Sequence, residues 1–164
     1  MRITQAGEYG LLALIFLARQ KPDTLVMIDE ICEAEKIPKV FLAKILQNLS
    51  KAGLVRSRQG ARGGFALNKA ASAVTVLEAI EAIEGKIAFQ RCLEETPDCE
   101  KMDGCTLCAV FTEAQNRVTE VFNKMTLADM MQPKEKVLQQ CREIPVPEAT
   151  EGISCKDATD LRKD

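Results

Sequence analysis

Between residues 36 and 69 the chain carries eight cations, Lys36, Lys39, Lys44, Lys51, Arg56, Arg58, Arg62 and Lys69, and not one Asp or Glu. Beneath that charge runs a helical period. Leu42, Ile45, Leu46 and Leu49 recur at i, i+3, i+4 and i+7, and Lys44, Gln47, Asn48 and Lys51 follow the same rule on the opposite side. A helix over residues 39–52, started after Pro38 and stopped by Gly53, therefore has one face to pack and one to present. A short helix over 29–35 precedes it. Two strand-like pieces, 54–57 and 65–67, follow it and are joined by a glycine-rich loop running from Arg58 to Gly64. Helix, tight turn, helix, basic hairpin is the order of a winged helix-turn-helix. In that arrangement the third helix enters the major groove by its N-terminal half. It offers Lys39, Val40, Ala43, Lys44 and Gln47 to base edges, with Lys51 further along the same face, while Arg58 and Arg62 on the wing meet phosphates or the minor groove.

The cation-rich stretch is hidden by the net charge of -2. Residues 1–70 hold 11 Lys or Arg against 6 Asp or Glu, and residues 71–164 hold 11 against 18, so a basic head is joined to an acidic remainder. Such a head suits a polyanion. At 164 residues with 46% apolar content, the chain suits one domain with an oligomerising arm. No apolar run approaches the roughly 20 residues of a bilayer span. The sequence has no histidine, which excludes serine-histidine-aspartate and cysteine-histidine hydrolases and histidine-ligated zinc enzymes. The apolar run from Gly10 to Ala18 faintly resembles a secretory signal, but Glu8 and Tyr9 stand where a signal is basic. An amphipathic first helix over 8–20, with Leu11, Leu12, Ile15 and Phe16 inward, is the reading adopted.

Beyond the wing, 75–85 reads as a helix with Val76, Leu77, Ile80 and Ile83 inward. Over 106–129, Leu107, Phe111, Ala114, Val118, Val121 and Met125 fall at alternating spacings of four and three. That heptad seam suits a dimer. Prolines and mixed charge mark 133–164 as a flexible tail. The expected fold is thus mainly α with a small β-wing: a winged helix-turn-helix over 1–85, a cysteine-rich cluster-binding loop over 86–105, a long dimerisation helix over 106–132, and the tail.

Four of the seven cysteines fall within 17 residues, as Cys92, Cys99, Cys105 and Cys108, interleaved with Pro97, Asp98, Asp103 and Gly104. A loop of that composition can wrap four thiolates around one centre, either an iron-sulfur cluster or structural zinc. An odd cysteine total without a convincing signal points to a reducing cytoplasm and away from a disulfide framework. Cys32 reads as a small core residue, and Cys141 and Cys155 as solvent-exposed tail residues. Cys105 and Cys108 alone resemble a redox dithiol, but no strand-helix-strand context surrounds them.

Met1-Arg2-Ile3-Thr4 with Glu8-Tyr9-Gly10, the stretch from Ile37-Pro38 to Gly53-Leu54-Val55, Gly63-Gly64-Phe65 and Thr126-Leu127-Ala128-Asp129 resemble the Rrf2 family of bacterial winged-helix transcriptional regulators, over residues 1 to about 132. The resemblance is to its IscR-like and NsrR-like branches, and it places Cys92, Cys99 and Cys105 on their three cluster cysteines. It implies a homodimeric, non-enzymatic transcription factor whose long helices cross at the interface and whose 2Fe-2S or 4Fe-4S cluster modulates DNA binding in response to redox, nitric oxide or iron-sulfur status. A histidine stands in IscR-like members where this chain has Cys108. In NsrR-like members an acidic residue serves, at the place of Glu8. Cys108 is the first choice for fourth ligand, because thiolate is the stronger iron-sulfur ligand, and Glu8 the second. Ala43 replaces a glutamate of IscR-like members, and the wing departs from the usual arginine-glycine-proline. The partners expected are double-stranded DNA, a second copy and a cluster donor. The alternative is a zinc-stabilised or thiol-based winged-helix regulator or interaction module without an iron-sulfur cluster.

Overall fold

The structure, a computed structural model, describes residues 3–60, 63–94, 99 and 105–145. Helix α1 (Gln5–Ala18) starts earlier than the apolar period announces, because Thr4 caps it: the Thr4 hydroxyl oxygen accepts from the backbone N–H groups of Ala6 and Gly7. Helix α2 (Ile28–Glu35) ends on Lys36 in the left-handed region, and α3 (Lys39–Lys51) follows after Pro38. Gly53, with φ of +73°, turns the chain out of α3 into strand β1 (Val55–Arg58). Strand β2 (Gly64–Leu67) pairs antiparallel with β1, Val55 opposite Leu67 and Arg58 opposite Gly64. A single bridge between Val26 and Phe65 adds the linker before α2 as a third rung beside this two-stranded wing.

The apolar stripes meet in one core. Leu14 of α1, Ile31 of α2, and Leu42, Leu46 and Leu49 of α3 are all 0% exposed, and the wing closes over them with Val55, Phe65 and Leu67. Helix α4 (Val76–Glu84) lies on α1, and Glu84 accepts from the Thr4 N–H at 2.8 Å and the Thr4 hydroxyl at 3.1 Å.

Three expectations are corrected in the C-terminal half. The long helix is shorter: α5 spans Thr106–Lys124, Met125 is extended, and a separate α6 (Leu127–Met130) follows. Thr126 interrupts the helix because its hydroxyl caps α6 while its backbone bridges Thr75. The heptad stripe, read as suited to a dimer, is divided in the single chain, with Phe111 and Met125 packed on its core. Cys108, Thr112 and Gln115 are the buried residues of α5, and Gln115 accepts from the Phe89 N–H at 2.9 Å, whereas Leu107 is 67% exposed. The tail is not structureless from 133, since α7 (Lys134–Glu143) packs Val137, Cys141 and Ile144 against Val76, Ile80, Ile87 and Met125. Val137, Cys141 and Ile144 stand at i, i+4 and i+7, a stripe masked in composition by the charges around it. Cys141 is consequently half-buried, not exposed. Residues 146–164, with Cys155, lie outside the described residues.

Asp129 joins these last elements. Its carboxylate accepts from the Thr126 hydroxyl at 2.6 Å, the Thr126 N–H at 2.9 Å and the Gln140 amide at 3.2 Å. The Thr126 hydroxyl, then the Thr126 N–H, hold the carboxyl below the usual carboxylate range, burial opposing them. A lowered native value means that this stabilisation is complete above the unfolded value of about 3.9 and is lost as pH falls through the native one. Asp129→Asn should cost about 1 kcal/mol at pH 7. The gap to wild type should narrow below about pH 4 in urea titrations, and a gap constant with pH would contradict the assignment.

Candidate nucleic-acid interface and cysteine centre

Packing of Leu42, Ile45, Leu46 and Leu49 inward turns Val40, Ala43, Lys44, Gln47 and Lys51 outward, and all five are exposed. The first turn of α3 contains no acidic residue and no side-chain cap, so the positive end of the helix dipole is left bare. Among the described residues no carboxylate pairs with Lys36, Lys44, Lys51 or Arg58. Lys39 differs: Asp29 of α2 holds its ammonium at 2.6 Å. Arg56 of β1 is likewise held by Asp23, in the loop after α1. The face therefore offers fixed cations at its edge and free ones at its centre and wing tip. Arg62 lies outside the described residues. Phe41 is absent from the sequence reading yet 58% exposed, and Val40 beside it is 83% exposed. The missed signal was a phenylalanine off the apolar stripe of α3.

The second region forms where a short 3-10 turn, Arg91–Leu93, meets the start of α5. Leu93 and Cys108 are its buried centre, 4% and 2% exposed, and Phe89, Cys92, Cys105 and Phe111 pack around them. Cys105 is the N-cap residue of α5 and Cys108 lies in its first turn. Cys99 is exposed. Cys32, Cys92, Cys99, Cys105 and Cys141 are free thiols, while Cys108 is disulfide-bonded. Among the described residues no three Cys, Asp or Glu side chains converge as a metal centre. The donor set nevertheless fits a thiophilic group: soft sulfur without imidazole, set on an apolar floor, suits iron-sulfur or zinc and not magnesium or calcium. Glu8 is exposed in the first turn of α1. Cys32 belongs to neither region. It is half-buried against the main core, where burial, then the Asp29 charge, pushes its thiol up. No described helix is long and apolar enough to cross a membrane.

A basic helix, α3, behind a small helix, with a glycine-rich two-stranded wing, defines a winged-helix DNA-binding protein of the transcription-regulator class. Residues 3–133 match Rrf2, the family described as "Iron-dependent Transcriptional regulator", and the chain belongs to that family. A putative HTH-type transcriptional regulator of Aquifex aeolicus is 34% identical over 140 residues, covering 84% of this chain and 96% of its own. Among solved structures, T. potens IscR is similar at a TM-score of 0.65 and 27% identity, covering 80% of this chain and 86% of its own. The global cysteine regulator CymR of B. subtilis is similar at 0.67 and 25%, covering 79% and 95%. The chain is accordingly a DNA-binding transcriptional regulator and not an enzyme.

Proposed function

We propose that this regulator acts as a homodimer whose operator affinity is set by an iron-sulfur cluster held by Cys92, Cys99 and Cys105 and a fourth ligand. The observation that carries the reading is the packing of Cys92, Cys105 and Cys108 on one small core at the start of α5. Bound there, the cluster supplies a centre sensitive to oxidation, nitric oxide and iron supply. Cys108 is the first choice for the remaining position once reduced to thiolate; Glu8, which needs no reduction, is the second. The similarity to IscR supports a cluster, and the similarity to CymR supports the thiol-based alternative.

Two features of α5 support coupling to DNA. Leu107, Val110, Ala114, Val118 and Val121 form an apolar stripe beside the buried one, with Leu107 67% and Val110 64% exposed in the single chain, a surface suited to a second copy. At its other end, Val121, Phe122 and Met125 pack with Val76 and Ile80 of α4, which lies on α1 of the DNA-binding head. What grips Cys105 and Cys108 therefore acts on the helix that sets the spacing of two reading heads. The equilibrium between competent and incompetent dimers shifts accordingly.

Protein purified without oxygen should contain iron and acid-labile sulfide and absorb in the visible. Stoichiometric zinc without sulfide would replace the sensor with a zinc-stabilised regulator. For the DNA face, Lys44→Ala with Gln47→Ala should weaken a specific site by about 100-fold and random duplex far less, because base contacts specify and phosphate contacts position. Arg58→Ala should instead lower the salt slope of binding by about one. Equal loss on both duplexes after the α3 changes, read by fluorescence anisotropy, would contradict the placement of α3.

A further inference from the structure

At the leading end of α3, Val40 is 83% and Phe41 58% exposed, two large apolar side chains within the cation-rich stretch. By helical spacing Val40 stands in line with Lys44, Gln47 and Lys51, and Phe41 lies on the flank one turn before Lys44. Neither packs on the core, and neither is needed to form the helix. Resting on the DNA-reading assignment of α3 above, we propose that Val40 and Phe41 read the C5-methyl groups of thymine in the major groove, so that the operator half-site carries thymine at the positions they meet.

The charge around them chooses the occupant. Lys36 and Lys44 flank the pair without any carboxylate partner among the described residues, and Lys39 is held at its edge by Asp29. A protein partner would have to bury or neutralise these ammonium groups, and lysine is depleted from the cores of protein interfaces. Duplex DNA neutralises them on phosphates and, between the phosphates, presents in the major groove one apolar group, the thymine methyl. Apolar side chains among free cations match that combination of surfaces. Ala43, also on this face, is too short to block their approach to the base edges.

The test begins with selection of bound sequences from a random duplex library, followed by replacement of each thymine of the selected site with deoxyuridine, which removes only the methyl. Wild-type Kd should rise about fourfold for each methyl that is read, the worth of one buried methyl-sized group. The doubly substituted protein, Val40→Ala with Phe41→Ala, should bind the thymine and deoxyuridine sites equally. Both side chains are exposed, so the variant should keep the wild-type fold, read as an unchanged circular dichroism spectrum and urea midpoint. Selective wild-type binding that is indifferent to every deoxyuridine replacement would overturn the proposal and leave the DNA reading intact. A variant that keeps the wild-type penalty would assign the methyl contact elsewhere and overturn it too. A library that yields no enriched sequence would remove the DNA-reading assignment itself, and the proposal with it.

Discussion

Gly64→Ala is expected to lower stability by about 3 kcal/mol, combining overpacking with the loss of two backbone hydrogen bonds. A Cβ at Gly64 would lie 2.6 Å from the carbonyl oxygen of Val26 and 2.9 Å from its carbon. These are backbone atoms of the bridge that ties the wing to the linker before α2, where Val26 N–H donates to Phe65 at 2.9 Å and Phe65 N–H returns the bond at 2.8 Å. Neither strand can yield without parting that pair. Once parted, Phe65 leaves its place over the core, and Arg58, opposite Gly64, loses its set position at the wing tip. Gly60→Ala makes the control for space: nothing lies within 4 Å of a Cβ there, although its φ of +110° still charges some strain. Urea titration of both variants would check this, and a Gly64→Ala loss under about 1 kcal/mol would show that the bridge is not what holds the wing.

The second large effect belongs to the cysteine centre. Cys92→Ser and Cys105→Ser should each abolish iron and sulfide retention in anaerobic protein, because a serine hydroxyl is a poor ligand for thiophilic iron. Operator affinity of these variants should differ from that of the loaded wild type by about 5- to 150-fold, the usual range of coupling between two sites. Cys32→Ser and Cys141→Ser are the discriminating controls. Both residues sit against other parts of the core and should leave metal content unchanged. Operator affinity that stays the same in Cys92→Ser and Cys105→Ser, whatever the iron supply, would leave a constitutive DNA binder.

Much of the DNA-binding head was legible because its determinants are local. The apolar and cationic positions of α3 alternate at helical period, and Gly53, Gly63 and Gly64 punctuate the wing, so elements and faces could be read without knowing what they pack against. The cysteine spacing was equally visible. Phe41 was overlooked, since an apolar residue off the stripe has no partner in the pattern that would announce its exposure. The pairing of Lys39 with Asp29 and of Arg56 with Asp23 was hidden as well, because each joins residues from different elements.

By itself, then, the order of residues determined a winged helix-turn-helix, a basic face and a thiol-rich segment, all of which follow from periodicity, charge and turn chemistry over short distances. Only the tertiary structure decided that the helix after the cysteines breaks at Met125, that the chain from 134 to 143 folds back as α7, and that Cys92, Cys105 and Cys108 share one floor. The reason is physical: a cap shared between Thr126 and Asp129, a bridge to Thr75, and an apolar stripe seated on α4 and Met125 are contacts between distant segments. Their free energy exists only once the chain has brought those segments together.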